Sequence, residues 1–297
     1  MFKEMASDEQ KFPPQSQQTH PGQEHVMDPT PQSMIPDYKP SNKLRGKVAL
    51  VTGGDSGIGR AVCISFAKEG ATVAFTYVKG LEDKDKDDTL QILLQCQTAD
   101  AKEPMAIASD IGYEENCRQV VDVVVKEYGR IDILVNNAAE QHMTKSLDDI
   151  TEPRLERVFR TNIFSQFFLV RHAVRHMKEG SAIINSTSVN AYSGNPMTLD
   201  YTATKGAIVA FTRGLALHLV SKGIRVNAVA PGPVWTPLQP ASMPPEMIQN
   251  LGSDVPMNRA AQPSEIAPCY VFLASLQDSS YFTGQVLHPN GGMIVNA

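Results

Sequence analysis

From Lys47 onward, short β-branched runs alternate with segments of helical period, and no other feature of this 297-residue sequence constrains its fold as strongly. Repeated strand–helix units of this kind imply a parallel sheet, because parallel neighbours need a crossover long enough to bring the chain back to the same end. The expected strands are Val48–Val51, Thr72–Phe75, Met105–Ile107, Ile131–Val135, Ala182–Asn185, Arg225–Val229 and Gln285–His288. Helices are expected near 57–69, 86–99, 114–128, 153–178, 201–221 and 263–275. Seven strands complete a doubly wound α/β sheet, and right-handed crossovers place its helices on both faces.

Composition narrows the function. Hydrophobic residues make up 42% and charged residues 20%, an ordinary globular balance, and a net charge of -5 argues against a basic nucleic-acid or anionic-membrane surface. No run of eighteen apolar residues exists, so no membrane span is expected. Cys63, Cys96, Cys117 and Cys269 are scattered, and His172 and His176 share a helix face without a third ligand, so neither metal nor disulfide framework is expected. Residues 1–42 are rich in Gln and Pro and read as an extended or disordered tail, with Met34–Tyr38 apolar enough to dock on the body or a neighbouring subunit. That tail carries Glu4, Asp8 and Glu9 and no Arg, unlike a transit peptide, so the expected compartment is the cytoplasm. The mixed-sign run Glu82–Asp88 reads as a solvated turn before a helix.

The first expected strand runs straight into Thr52-Gly53-Gly54-Asp55-Ser56-Gly57-Ile58-Gly59 and then a helix. Glycines there permit a tight turn and let the helix amino end approach a pyrophosphate, whose charge the free N–H groups and helix dipole stabilise. Dinucleotide binding is the inference. Farther along, Tyr201 and Lys205 stand four residues apart, so both project from one helix face. A phenol needs roughly 4 kcal/mol of phenolate stabilisation to titrate near neutrality, and a cation about 4 Å away supplies about that much at an effective dielectric near 20. Lys205 is therefore expected to lower Tyr201. Metal ligation enters nowhere in this scheme.

With its glycine spacing, its Asn136-Asn137-Ala138-Ala139 segment after the fourth strand and its Tyr201-x3-Lys205 pair, the chain over residues 43–297 resembles the classical short-chain dehydrogenase/reductase family. The resemblance implies a Rossmann-type catalytic domain behind the tail and hydride transfer between a nicotinamide and a carbonyl or alcohol. It assigns catalysis to Ser188, Tyr201, Lys205 and Asn162, with Ser186 a close competitor of Ser188 and Asn162 holding a relay water. For the cofactor it implies Gly53, Asp55, Ser56, Gly57, Ile58, Gly59, Asp110, Ile111, Asn137, Ala138, Ala139, Tyr201, Lys205, Pro231, Gly232, Val234 and Thr236. Asp110 would meet the adenine amine and Thr236 the nicotinamide carboxamide. Ala139 departs from the family's glycine.

The second strand ends Tyr77-Val78-Lys79 with no acid to take a ribose hydroxyl, and Lys79 could pair with a 2′-phosphate, so NADP(H) is favoured. Asp55 and Ser56 stand where many NADP members carry a base, so NAD(H) stays open. Phrases such as Leu287-His288-Pro289-Asn290-Gly291-Gly292 resemble plant glucose and ribitol dehydrogenase homologues and NADPH-dependent aldehyde reductases. An aldehyde, sugar or polyol is the implied substrate, against a wall of Gln141, Ser188, Asn190, Trp235 and Leu238 under a mobile lid at 235–262. The long helices resemble the pair through which the family forms homotetramers.

Overall fold

A computed structural model describes residues 11–295; Glu4, Asp8 and Glu9 of the tail lie outside that range. In chain order the strands are β1 Val48–Val51, β2 Thr72–Tyr77, β3 Met105–Ala108, β4 Ile133–Asn136, β5 Ala182–Ser186, β6 Arg225–Val229 and β7 Val286–Leu287. The principal helices are α1 Gly57–Lys68, α2 Asp83–Cys96, α3 Glu114–Tyr128, α4 Glu152–Phe159, α5 Ser165–Ala173, α6 Asn190–Ser193 and α7 Leu199–Leu219. After β6 come α8 Leu238–Ser242, α9 Pro245–Ile248, α10 Pro263–Ala274 and α11 Leu276–Ser279.

All seven strands pair in parallel in the order β3-β2-β1-β4-β5-β6-β7. Because side chains alternate across a strand, Leu50, Leu134, Ile183 and Val226 meet the α3, α5 and α7 layer. Val51, Val135, Ile184 and Val229 meet α1 and α10 on the opposite face. Strand order reverses between β1 and β4, and it is outside the carboxyl ends at such a switch that α/β sheets bind ligands.

Three expectations need correction. The helix expected over 153–178 is interrupted: α4 passes into a π-helical turn at Arg160–Phe164 before α5, and the stretch ends in a short 3-10 turn at Val174–His176. Strand β4 begins at Ile133 and not Ile131, although the Asp132 amide and carbonyl still bond Val48 and Ala182 at 2.9 Å and its carboxylate accepts the Val48 amide at 2.9 Å. The acidic run is not solvated throughout, since Glu82 and Asp85 are buried.

The tail is extended but not free. Of the Met34–Tyr38 segment, Met34 is exposed while Tyr38 docks on the body, and further anchors lie outside it. Phe12 stacks on Trp235 with ring centroids 4.0 Å apart, Met27 packs into the same cluster, and the Trp235 indole N–H donates to the Pro29 carbonyl at 2.8 Å. Glu69 accepts from the Tyr38 hydroxyl at 2.5 Å and from the Lys43 amide at 2.9 Å. Phe12→Ala should remove about 3 kcal/mol of packing from this arm. Hydrogen exchange at the Trp235 indole should then accelerate about a hundredfold. Unchanged protection would contradict the anchor.

Candidate active site

A cleft lies over the β1/β4 switch, and its walls come from the glycine loop, the ends of β2 to β6 and the arm. After β1 the chain turns through Gly53 at φ +63, where a Cβ would stand 3.2 Å from Ala138. A Cβ on Gly59 would lie 1.8 Å from the Gly53 carbonyl oxygen, so these two positions require glycine. Thr52 Oγ1 accepts the amides of Asn137 and Ala138 at 2.8 and 3.0 Å, which ties the loop to the segment after β4. The space thus opens onto the amino end of α1, and these backbones suit a dinucleotide pyrophosphate.

Helix α1 begins without a side-chain cap from Ser56. The arm supplies one: Glu24 Oε2 accepts the Gly57 amide at 2.5 Å, and its other oxygen pairs with Arg60 at 2.5 Å. Arg60 also donates to the Asp55 carbonyl at 2.7 Å, to Thr89 Oγ1 at 2.8 Å and to Asp85. Asp85 in turn accepts the amides of Glu24 and His25 at 2.7 and 2.9 Å. Four carboxyl groups, Glu24, Asp55, Glu82 and Asp85, are buried in this cluster, and Arg60 forms ion pairs with Glu24 and Asp85. Burial pushes Glu24 up to about 7, Asp55 to about 7 and Glu82 to about 9. None of Glu24, Arg60, Glu82 or Asp85 was singled out by motif, because the contacts join segments distant in sequence.

Opposite, α7 brings Tyr201 and Lys205 to the cleft floor, both buried. Lys205 Nζ lies 5.2 Å from the Tyr201 ring centroid and donates to the Ser186 carbonyl at 2.8 Å. The expected lowering of Tyr201 by Lys205 does not hold among the protein's own groups. Burial pushes the phenol up to about 12, against a downward pull from the Ser188 hydroxyl, and burial pushes the Lys205 ammonium down to about 7. Ser186, the alternative serine, turns its hydroxyl to Tyr270 at 2.6 Å and Asn137 at 3.3 Å.

Asn162 sits in the π-helical turn with no exposed surface. Its amide is committed: Oδ1 accepts the Glu140 amide at 2.8 Å, while Nδ2 donates to the Glu140 carbonyl at 2.9 Å and to Thr204 Oγ1 at 3.0 Å. The side chain therefore clasps the segment after β4 to α7. Asp55, Ser56, Ile58, Tyr77, Asp110, Ile111, Ala139, Pro231, Gly232, Val234, Thr236 and Leu238 all line the cleft, and Asp110 is paired with Arg157 at 2.7 Å.

Others are not brought to it. Trp235 is fully buried beneath Phe12, so it anchors the arm and forms no substrate wall. Gln141 is buried and donates to Ser242 Oγ at 2.9 Å, which ties the β4 loop to the 238–242 helix. Lys79 is exposed and faces a neighbouring depression with Asn116 and Gln119. Asn190 touches the site through its amide on Ser188 Oγ at 3.2 Å.

The raised carboxyl of Glu24 has a thermodynamic consequence. With a folded pKa of about 7 against an ordinary 4.5, Glu24 holds its proton more tightly in the folded chain. Its contribution is whole below pH 4.5 and lost as pH rises through 7. Denaturant unfolding of wild type and Glu24→Gln across pH 4.5–7 should therefore diverge, by on the order of 3 kcal/mol at most, with the wild type falling faster. Parallel curves would contradict the burial effect.

Residues 53–294 match the family model described as enoyl-(acyl carrier protein) reductase. NADPH-dependent aldehyde reductase 1, chloroplastic, of Arabidopsis thaliana is 68% identical over 99% of this chain and 100% of its own length. Glucose and ribitol dehydrogenase of Daucus carota is 67% identical over 96% of this chain and 98% of its own. A short-chain dehydrogenase/reductase of Serratia marcescens aligns at a TM-score of 0.75 with 34% identity, over 84% of this chain and 98% of that one. The chain belongs to the short-chain dehydrogenase/reductase family of oxidoreductases.

Proposed function

We propose that this chain is an NADP(H)-dependent oxidoreductase that reduces aldehydes or related carbonyls to alcohols, or runs the reverse on sugars and polyols. The observation that carries the reading is the meeting of Tyr201, Ser188 and Lys205 on the floor of the cleft whose other end is the glycine loop. The bound nicotinamide would supply or accept the hydride at the substrate carbon. Tyr201 gives its proton to the carbonyl oxygen or, in reverse, takes one from the alcohol. Ser188 orients that oxygen. Lys205, which is buried and donates to the Ser186 carbonyl, would bond the nicotinamide ribose, and the positive charge of a bound oxidised cofactor would help lower Tyr201 from about 12.

NADP(H) over NAD(H) is supported by the absence of an acid on β2 where it ends at Tyr77 and by the NADPH dependence printed in the name of the Arabidopsis relative. Glu82, which accepts the Val78 amide at 2.6 Å beside the expected ribose, is kept protonated by burial and would not repel a phosphate. Segment 235–262, with α8 and α9 and four of its prolines, reads as the substrate lid. Residues 43–297 read as one catalytic domain.

Exposed Leu155, Phe164 and Phe167 of the α4–α5 stretch and Leu217 of α7 support a homotetramer built on these helices; a monomer in light scattering would sink that idea. No helix among the described residues is long and apolar enough to cross a membrane. The expected cytoplasmic placement sits poorly with the chloroplastic name of the Arabidopsis relative, and either compartment suits the proposed chemistry.

Absorbance at 340 nm with NADPH and with NADH, against aldehydes, aldoses and polyols, tests the reading. Tyr201→Phe should cut kcat by roughly 10²–10⁴-fold while NADPH binding persists. Turnover unaffected by that substitution would refute the mechanism.

A further inference from the structure

Residues 20–24 of the arm enter the cleft at a place that no motif of the family explains. His20, Pro21 and Gly22 form part of the wall. Gly22 lies so close to the lid that a Cβ would stand 2.3 Å from the Pro237 carbonyl oxygen, one residue beyond Thr236. Gly57, at φ +53, has its own Cβ position 3.2 Å from Thr236. The arm, the glycine loop and the segment after β6 thus converge at the amino end of α1. There Glu24, with no exposed surface, takes the Gly57 amide and the Arg60 guanidinium, and Gln23 Nε2 donates to the Leu81 carbonyl at 2.7 Å. Once ionised, above about pH 7, a carboxylate bonded at once to a backbone amide and a guanidinium fixes both more firmly than neutral partners would.

We propose that residues 20–24 complete the cofactor site and that Glu24 is a positioning residue for the dinucleotide: it occupies the Gly57 amide and clamps Arg60, so that the rest of the loop is held ready for the phosphates. This rests on the cofactor reading above. The arm is then a working part of the site. A Glu24 that merely competed with the phosphates for the helix end would have the opposite effect on affinity.

Titration of the full chain with NADPH, followed by cofactor fluorescence, separates these cases. Glu24→Ala should weaken NADPH binding about tenfold, and Glu24→Gln, which keeps an oxygen for the Gly57 amide, should recover part of that loss. The KM for NADPH should rise in step, with a much smaller rise in the KM for the aldehyde. Gly22→Ala, which pushes the arm off Pro237 and leaves the carboxylate in place, should speed NADPH release in a stopped-flow displacement. Unchanged or tighter binding by Glu24→Ala overturns the proposal. If that variant does not fold, an unchanged release rate in Gly22→Ala overturns it. A wild-type chain that binds neither NADPH nor NADH overturns the functional reading as well, whereas normal wild-type binding beside an indifferent Glu24→Ala overturns this inference alone.

Discussion

The buried guanidinium of Arg60, a residue only 5% exposed, is the constraint around which this end of the molecule is organised. A buried charge costs several kcal/mol unless it is paired and its donors are satisfied. Arg60 meets that demand with partners from three regions: Glu24 of the arm, the Asp55 carbonyl of the glycine loop, and Thr89 and Asp85 of α2. Satisfying one side chain therefore fixes the loop, the entrance to α2 and the arm relative to each other. The remaining carboxyls of the cluster are tolerated because burial keeps protons on them.

The Tyr201 end of the cleft follows a different logic. Tyr201 and Lys205 share a helix face, yet burial drives each toward its neutral form, and the lysine spends a hydrogen bond on a backbone carbonyl. A floor so poor in exposed charge makes its protonation state sensitive to any charge brought into the cleft. Asn162 contributes from below, where the π-helical turn aims its amide at the segment after β4 and at α7.

Much of this was legible in the chain. Parallel strands buried on both faces read as β-branched runs, which is why Val48–Val51 and Arg225–Val229 could be bounded from sequence to the residue. The glycine turn and the Tyr201–Lys205 spacing are local patterns, and the cleft is where they predict it. What escaped was long-range. A buried Asp85 and an exposed one look alike in a mixed-sign run, and only the arm folding back over α2 tells them apart. Trp235 reads in sequence as apolar surface for a substrate wall, but its ring is claimed by Phe12, more than two hundred positions away in the chain. The turn that interrupts α4 and α5 leaves no breaker residue in Arg160–Phe164 to betray it.

Trp235 is the chain's single tryptophan. Its ring lies stacked on Phe12, and its indole N–H is satisfied by the carbonyl of Pro29, so its ring partner and its indole hydrogen-bond partner both belong to the arm. An indole in that dry, aromatic setting emits differently from one in water. The emission of the whole protein is thus, without any label, a readout of whether one short peptide is seated, and an optical signal collected from the bulk carries local structural meaning.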